Sequence, residues 1–488
     1  AQLIGEQNIV IAVTGPEKEE LTYPSEEALL GVLAATRAET IEPYAGEAID
    51  EPLVADPPTP GKVVKKERDE AMDASVWTLE NGMQVILKKT DFKDDQILMS
   101  ATSSGGYSLF AQENPINSRL MGSLITLGGV GNFSSTDLPK VLAGKTASAR
   151  PSVSLITQGF SGSSSIKDFE TMLQLVYLYF TAPRKDQDAF QSFIQRMETQ
   201  LKNQDAEPMV AFSDSVNYAI YGDNPLATRV KTEDLKRIDY DRAMEMYQEL
   251  FNNPGSFIFT CAGNIEEEAV QPVIEQYLAS LPGSADKKEF VKVPLDLREG
   301  NEKHLFARTM QNPKSSVFNV VCGNMERTQR NQLLMSMLDQ ILDIVYTEKV
   351  REEEGGTYGV GTGGSIARYP EGQTMLQIMF DTDPDTERME HLNGIILNEL
   401  KEVAANGPRE SDFTKVKEYL NKSYDENLKE NSYWLSILST KYFYGEDNHS
   451  NYLETVNAIT PQDIQAFTAK LLDQGNVKTV IMVPETGE

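Results

Sequence analysis

Residues 252–264 read Asn-Asn-Pro-Gly-Ser-Phe-Ile-Phe-Thr-Cys-Ala-Gly-Asn, and residues 475–484 read Gly-Asn-Val-Lys-Thr-Val-Ile-Met-Val-Pro. Each is an apolar, β-branched or aromatic run fenced by glycine, proline or asparagine, the pattern of a buried strand. An amphipathic helical pattern leads into each, Tyr240 to Phe251 in one case and Pro461 to Leu472 in the other. The same helix-then-strand closure at two places predicts two repeats of one body. A third run, Gln-Asn-Ile-Val-Ile-Ala-Val-Thr-Gly-Pro at 7–16, has the look of the same closing strand but no body ahead of it. On that reading residues 1–35 are the C-terminal remnant of a preceding domain.

Outward from these anchors the chain divides again. Between 36 and 75 the text turns to Glu, Ala and Pro, including Asp56-Pro57-Pro58-Thr59-Pro60-Gly61, which predicts an extended, semi-rigid connector. From Val76 a hairpin is expected with Asn81-Gly82 at its turn, one of the stronger local hairpin signals. The body over 76–290 then reads as a strand at 96–103, a helix at 115–127, strands near 153–161, helices at 167–181, 186–203, 208–221 and 239–251, and the closing strand. The body over 291–488 reads as strands at 304–310 and 316–323, a helix ending at Arg351, strands at 358–368 and 373–382, helices at 385–405, 410–430 and 432–444, and its own closure. Hairpins mixed with long helical runs give an α+β class, two tandem homologous domains each with an antiparallel-rich sheet, rather than strict βαβ alternation.

The chemistry concentrates at 342–366, Leu-Asp-Ile-Val-Tyr-Thr-Glu-Lys-Val-Arg-Glu-Glu-Glu-Gly-Gly-Thr-Tyr-Gly-Val-Gly-Thr-Gly-Gly-Ser-Ile. Leu334, Leu338, Ile341, Leu342 and Val345 recur at helical spacing before it, and an extended run follows. Gly355-Gly356 stops the helix, since glycine adopts the left-handed cap without a clash. Arg351 therefore falls on the last helical turn and Tyr358 at the start of the next strand, where a guanidinium and a phenol can both hydrogen-bond a carbonyl oxygen. Residue types alone favour the plainer reading, a surface arginine in a solvated Glu352-Glu353-Glu354 run and a strand tyrosine packed for bulk. Gly359, Gly361 and Gly364 spell a dinucleotide fingerprint, but with helix before and strand after the order is reversed, and the glutamates repel a pyrophosphate.

Composition excludes several classes. Forty-five basic against 74 acidic residues give a net charge of −29, which repels a phosphate backbone and an anionic membrane surface. No apolar run reaches the ~20 residues of a membrane span. Cys261 and Cys322 sit in strand-like runs and read as buried free thiols. The three histidines, His304, His391 and His449, are far apart and form no helical metal pair; His391 shares a helix with Glu387 and Glu390, which reads as an acidic helix surface. No nucleophile elbow or phosphate loop is present, so the chain lacks the parts of a complete catalytic site and no metal ligand is assigned.

These features resemble the pitrilysin/insulinase family of zinc peptidases, the inverzincins, specifically the C-terminal half of bacterial members. The likeness rests on the opening hairpin Leu79-Glu-Asn-Gly-Met-Gln-Val-Ile-Leu87, the closing strands near 10, 258 and 480, and Asn431-Ser-Tyr-Trp434. Its most specific part is Arg351-Glu-Glu-Glu-Gly-Gly-Thr-Tyr358, which looks like the family's arginine–tyrosine substrate motif in its last domain. The resemblance implies four similar α+β domains closing as two bowls around an unfolded peptide, with zinc and the catalytic glutamate in the first. This chain would then hold the end of domain two (1–35), the linker (36–75), a degenerate third domain (76–290) and the fourth (291–488). Where a zinc helix would fall, the third domain reads Asn117-Ser-Arg-Leu-Met-Gly-Ser.

By this resemblance Tyr358 steadies the developing oxyanion, Arg351 grips a substrate backbone carbonyl, and Gly355 and Gly356 set the angle between them. Zinc belongs to the full-length protein and no cofactor to this chain. The partners implied are peptide substrates and an N-terminal catalytic half, with no nucleic acid and no membrane, in an exported or periplasmic setting. Two other roles fit the same residues: a naturally separate non-catalytic subunit of a zinc peptidase, and a peptide-binding scaffold without proteolysis.

Overall fold

The structure, a computed structural model, describes residues 9–15, 21–39, 49 and 51–485. The chain forms two compact units, residues 1–49 and 50–488. In the first, helix α1 (Glu26–Ala38) is capped by Ser25, whose hydroxyl accepts the Ala28 N–H (3.2 Å). Residues 9–15, expected to be a strand, have no regular structure, and residues 7, 8 and 16 lie outside the described residues. A strand needs a neighbour for its backbone groups, and the first unit has no other strand among its described residues.

The second unit opens with β1 (Val63–Asp69), β2 (Ala74–Leu79), β3 (Gln84–Lys89) and β4 (Ile97–Ser104). The stretch read as a connector over 36–75 overlaps the end of α1 at its start and, after the irregular residues 51–62, enters β1 at Val63. Beyond that, Lys65 to Asp69 pair with β2 as an edge strand, where charged side chains stay in water. The predicted hairpin joins β2 to β3: Gly82 has φ +91°, and Asn81 is held by Nδ2 donating to Leu278 O (2.8 Å) and Leu281 O (2.9 Å). Then come α2 (Pro115–Leu124), α3 (Leu138–Val141), β5 (Ala147–Val153), β6 (Thr157–Ser164), α4 (Phe169–Thr181), α5 (Gln187–Asp205), α6 (Pro208–Tyr221), α7 (Tyr240–Phe251), β7 (Ile258–Gly263) and α8 (Glu267–Ile274). The second body holds β8 (Glu302–Arg308), β9 (Ser315–Asn324), α9 (Gln329–Tyr346), β10 (Val360–Ile366), β11 (Gln373–Thr382), α10 (Thr386–Asn406), α11 (Glu410–Asn427), α12 (Asn431–Tyr444), α13 (Tyr452–Ala458), α14 (Pro461–Leu472) and β12 (Val477–Pro484).

Two sheets result, ordered β1-β2-β3-β7-β4-β6-β5 and β8-β12-β9-β11-β10. From β3 onward the first order maps strand for strand onto the second. In both, the closing strand enters the sheet interior, parallel to one strand (β7 to β3, β12 to β8) and antiparallel to the strand that follows it in sequence (β4, β9). The repeat read from 252–264 and 475–484 is therefore a repeat of topology. Each closing strand is apolar because it is buried; all six residues of β7 are inaccessible to solvent. Cys261 and Cys322 are buried free thiols, and burial pushes the Cys261 thiol up to about 12.

The two bodies exchange helices. α12, from the second body, lies on the first sheet, with Trp434 and Leu438 packed against Met72, Ala74, Ile86, Ile258 and Ala262. Its rim is polar: Lys441 Nζ and Tyr442 Oη both donate to Asp69 Oδ2 (2.8 Å each), and Lys88 Nζ sits 4.3 Å over the Trp434 ring. In return α6, from the first body, lies on the second sheet, with Phe212 and Ala219 against Val480 and Met482, and Ile220 against Val320 and Cys322.

Candidate functional site

The site is built just beyond the C-terminal end of the helix that packs on the second sheet, α9. α9 starts at Thr328, whose Oγ1 accepts the Asn331 N–H (3.1 Å), and it buries Leu334, Leu338, Ile341, Leu342 and Val345, the face expected from the spacing. It does not end as an α-helix. Residues Thr347–Glu353 form a π-helical turn, a widening that recurs at functional sites. Val350 is buried beneath this turn while Arg351 to Glu354 face solvent. Arg409 anchors the turn through Glu348 (2.8 Å) and holds that carboxyl below its usual range.

The expected glycine stop is present. Gly355 has φ +60°, the left-handed cap, and the Glu354 carbonyl it leaves free accepts from Arg388 Nη2 (2.9 Å). Gly356 is buried, its carbonyl accepts from Thr382 Oγ1 (2.6 Å), and a Cβ there would lie 2.6 Å from Leu392 Cδ1. Thr357 Oγ1 donates to Gly359 O (3.0 Å) and accepts its N–H (3.2 Å), stiffening the last link before β10. On this framework Tyr358 projects with 102% relative exposure. Neither Tyr358 nor Arg351 has a hydrogen-bond or ion-pair partner among the described residues, so both donors are free for a ligand.

Tyr358 borders a concavity of about 620 Å³, lined also by Gly355, Gly356, Thr357, Lys314, Asp381, Thr382 and Asp383. That volume suits several side chains of a bound molecule. Lys314 and Asp381 pair across it (2.5 Å), and Asp381 also accepts from Ser316 Oγ (2.6 Å). The structure thus gathers Gly355, Gly356 and Tyr358 at one wall, with Arg351 on the preceding turn and outside the lining. Lys314, Asp381 and Asp383 escaped the sequence reading. They arrive through the antiparallel register of β9 and β11, which sets Ser315 opposite Thr382. Of the glutamates, Glu353 pairs with Lys349 (2.9 Å) and Glu354 with His391 (3.3 Å), a solvated face as expected.

The residues present do not fit zinc. On α2 the buried Asn117 is structural: its Oδ1 accepts the Asp239 N–H (2.9 Å) and its amide lies against Met246 Sδ. Arg119 next to it donates to Thr228 O (2.7 Å). Among the described residues no three His, Cys, Asp or Glu side chains gather as a ligand set. His449, half-buried among Tyr433, Tyr424 and Trp434, has its pKa pushed down by desolvation, and its Nδ1 meets Tyr433 Oη at 2.9 Å.

Residues 237–420, from α7 to α11 and including the Arg351–Tyr358 junction, match the family described as the peptidase M16 inactive domain. Over that stretch the chain is similar to a peptidase M16 inactive domain. Among curated proteins it is similar to the "Zinc protease PQQL-like" of Arabidopsis thaliana, at 24% identity over 474 residues, covering 91% of this chain and 47% of the relative. Among solved structures it is similar to the periplasmic protease PqqL from Escherichia coli (TM-score 0.77, 18% identity, 95% of this chain and 51% of that one). A mutant of the ferredoxin protease FusC in complex with Arabidopsis ferredoxin has a TM-score of 0.75 at 17% identity, covering 96% of this chain and 51% of that one. The chain spans about half the length of each. No helix among its described residues is long and apolar enough to cross a membrane.

Proposed function

We propose that this chain is the substrate-holding, non-zinc half of a zinc metalloendopeptidase, closing over an unfolded peptide opposite a half that carries the hydrolytic chemistry. The observation that supports this most is Tyr358, a fully exposed phenol with no hydrogen-bond partner among the described residues, held at a helix-to-strand junction beside a concavity. An exposed aromatic held without contacts has no stabilising role of its own. The reading is further supported by similarity to zinc proteases of about twice its length. In this role Tyr358 Oη donates to the substrate carbonyl as negative charge grows on its oxygen, and Arg351 donates to a neighbouring backbone carbonyl. Gly355 and Gly356 fix the angle between those donors. Peptides are the substrates, the complementary half is the partner, and export to the periplasm is the setting, by likeness to PqqL.

The test is reconstitution. The purified chain alone retains no stoichiometric zinc by metal analysis and leaves a quenched fluorescent peptide intact, and adding a zinc-bearing N-terminal half restores cleavage. In the restored enzyme Tyr358→Phe lowers kcat by about 10²-fold with little change in KM, the cost of a lost oxyanion donor. Stoichiometric zinc in the isolated chain, or full turnover by the phenylalanine variant, would refute the assignment.

A further inference from the structure

The geometry points to β10 as a docking edge on which an extended peptide adds as a sixth strand of the second sheet, with large apolar side chains laid across Gly361 and Gly363 toward Met379. This deepens the peptide-holding role proposed above and rests on it. The two sheets have four outer strands: β1, β5, β8 and β10. An outer strand offers unpaired amides and carbonyls to any passing chain, and proteins blunt such edges with charge or proline. β1 carries Lys65, Lys66, Glu67 and Arg68; β8 carries Glu302, Lys303 and Arg308; β5 carries Arg150 and Pro151. β10, Val-Gly-Thr-Gly-Gly-Ser-Ile, carries none of these. Its counterpart in the other repeat is β5, so the same position is blocked in one body and open in the other.

The register says which groups are on offer. Ala367 N–H donates to Gln373 O (2.8 Å) and Met325 N–H to Gly372 O (2.9 Å), so the odd-numbered residues of β11 bond β10 and the even-numbered ones bond β9. With Gly361 opposite Met379 and Gly363 opposite Gln377, the amides and carbonyls of Val360, Thr362 and Gly364 face away from β11. Ile366, next in that series, confirms the direction: its outward carbonyl accepts from Arg327 Nη1 (2.9 Å). The side chains of this set turn to α9, where Thr362 meets the Asp339 carbonyl and a Cβ at Gly364 would overlap Met335 Sδ.

The odd set faces the other way and is nearly bare. Neither Gly361 nor Gly363 has a positive φ; a Cβ at Gly363 would meet nothing within 4 Å, and one at Gly361 only Met379 O at 3.8 Å. Nothing within the chain requires glycine at either place, and strand glycines of this kind mark close approach of another backbone. In an added strand, residues opposite Gly361 and Gly363 form the close, non-hydrogen-bonded pairs, about 4.5 Å between Cα atoms. With no side chain opposing them, theirs reach across to Met379, which is 41% exposed, and to Met375 beyond. β10 begins two residues after Tyr358, so a peptide along this edge runs up to the phenol and its concavity.

The experiment uses the full chain and a fluorescein-labelled peptide of about ten residues, a typical strand's reach, alternating phenylalanine with serine. Anisotropy is read for the unmodified peptide and for two versions N-methylated at alternate amides in opposite phase. Strand addition predicts that one phase weakens binding by about tenfold or more, the effect of losing one or two hydrogen bonds, while the other binds as the parent. Gly363→Val should lower affinity similarly while the melting temperature holds or rises, since valine is the better strand former. Equal binding of all three peptides, wild-type affinity in Gly363→Val, or no binding of the parent peptide would each overturn the proposal. Binding lost in Arg351→Ala but indifferent to methylation would leave the peptide grip standing and strike out the added strand. Sensitivity to methylation with Arg351→Ala unaffected would do the reverse.

Discussion

Asp168 shows how one carboxylate ties a loop to a helix and how pH releases it. Its Oδ2 accepts from the Thr146 N–H (2.8 Å) and from Ser165 Oγ (2.9 Å), with Lys145 nearby at 3.7 Å. The Thr146 bond, with the Ser165 bond and Lys145 charge, outweighs desolvation and holds the carboxyl below its ordinary value. A depressed folded pKa contributes stability that is full above the unfolded-state carboxylate range, near 4, and is lost as pH falls through the folded value. Urea midpoints of the wild type should therefore drop below about pH 4 more steeply than those of Asp168→Asn; parallel acid limbs would show that this carboxylate does not contribute. At the same scale, Arg351 and Tyr358 were legible because Gly355-Gly356 marks the junction that places them. Lys314 and Asp381 were not, because their meeting spans 67 residues and depends on a register that no local pattern encodes.

Elements read well where periodicity and punctuation agree, as in α6, found at its expected 208–221, and in the Asn81-Gly82 hairpin. They read poorly where tertiary context intervenes. The charged run Lys65 to Asp69 shows no apolar alternation, yet it becomes β1 because β2 offers it an edge. The buried partner of α12 is likewise hidden in sequence, since its helical pattern says that a face is buried but not on which sheet. Leu438 is fully buried against the first sheet. Leu438→Ala should cost about 2–5 kcal/mol, the range for a core leucine whose site collapses only in part, read as a lowered urea midpoint at unchanged slope. A loss within about 0.5 kcal/mol, as for surface substitutions, would mean that the α12 contact is loose.

Across the whole molecule, the two-body plan was visible as a repeated closure, and the equivalence of the two sheet orders follows from it. The swap of α6 and α12 was not visible, because nothing in either body's own text says that its neighbour will roof it. That swap makes the apparent boundary near residue 290 a poor place to cut. A product ending there would carry α6 away from the second sheet and leave Ile86, Ile258 and Ala262 open to water. The fragments 51–290 and 291–488, expressed separately, should bind a hydrophobic dye and sediment as aggregates, and expressed together they should recover a soluble pair. Two well-behaved separate fragments would contradict this mutual roofing. Engineers who wish to graft one body elsewhere must therefore transplant its sibling too, or repaint the orphaned sheet with polar residues.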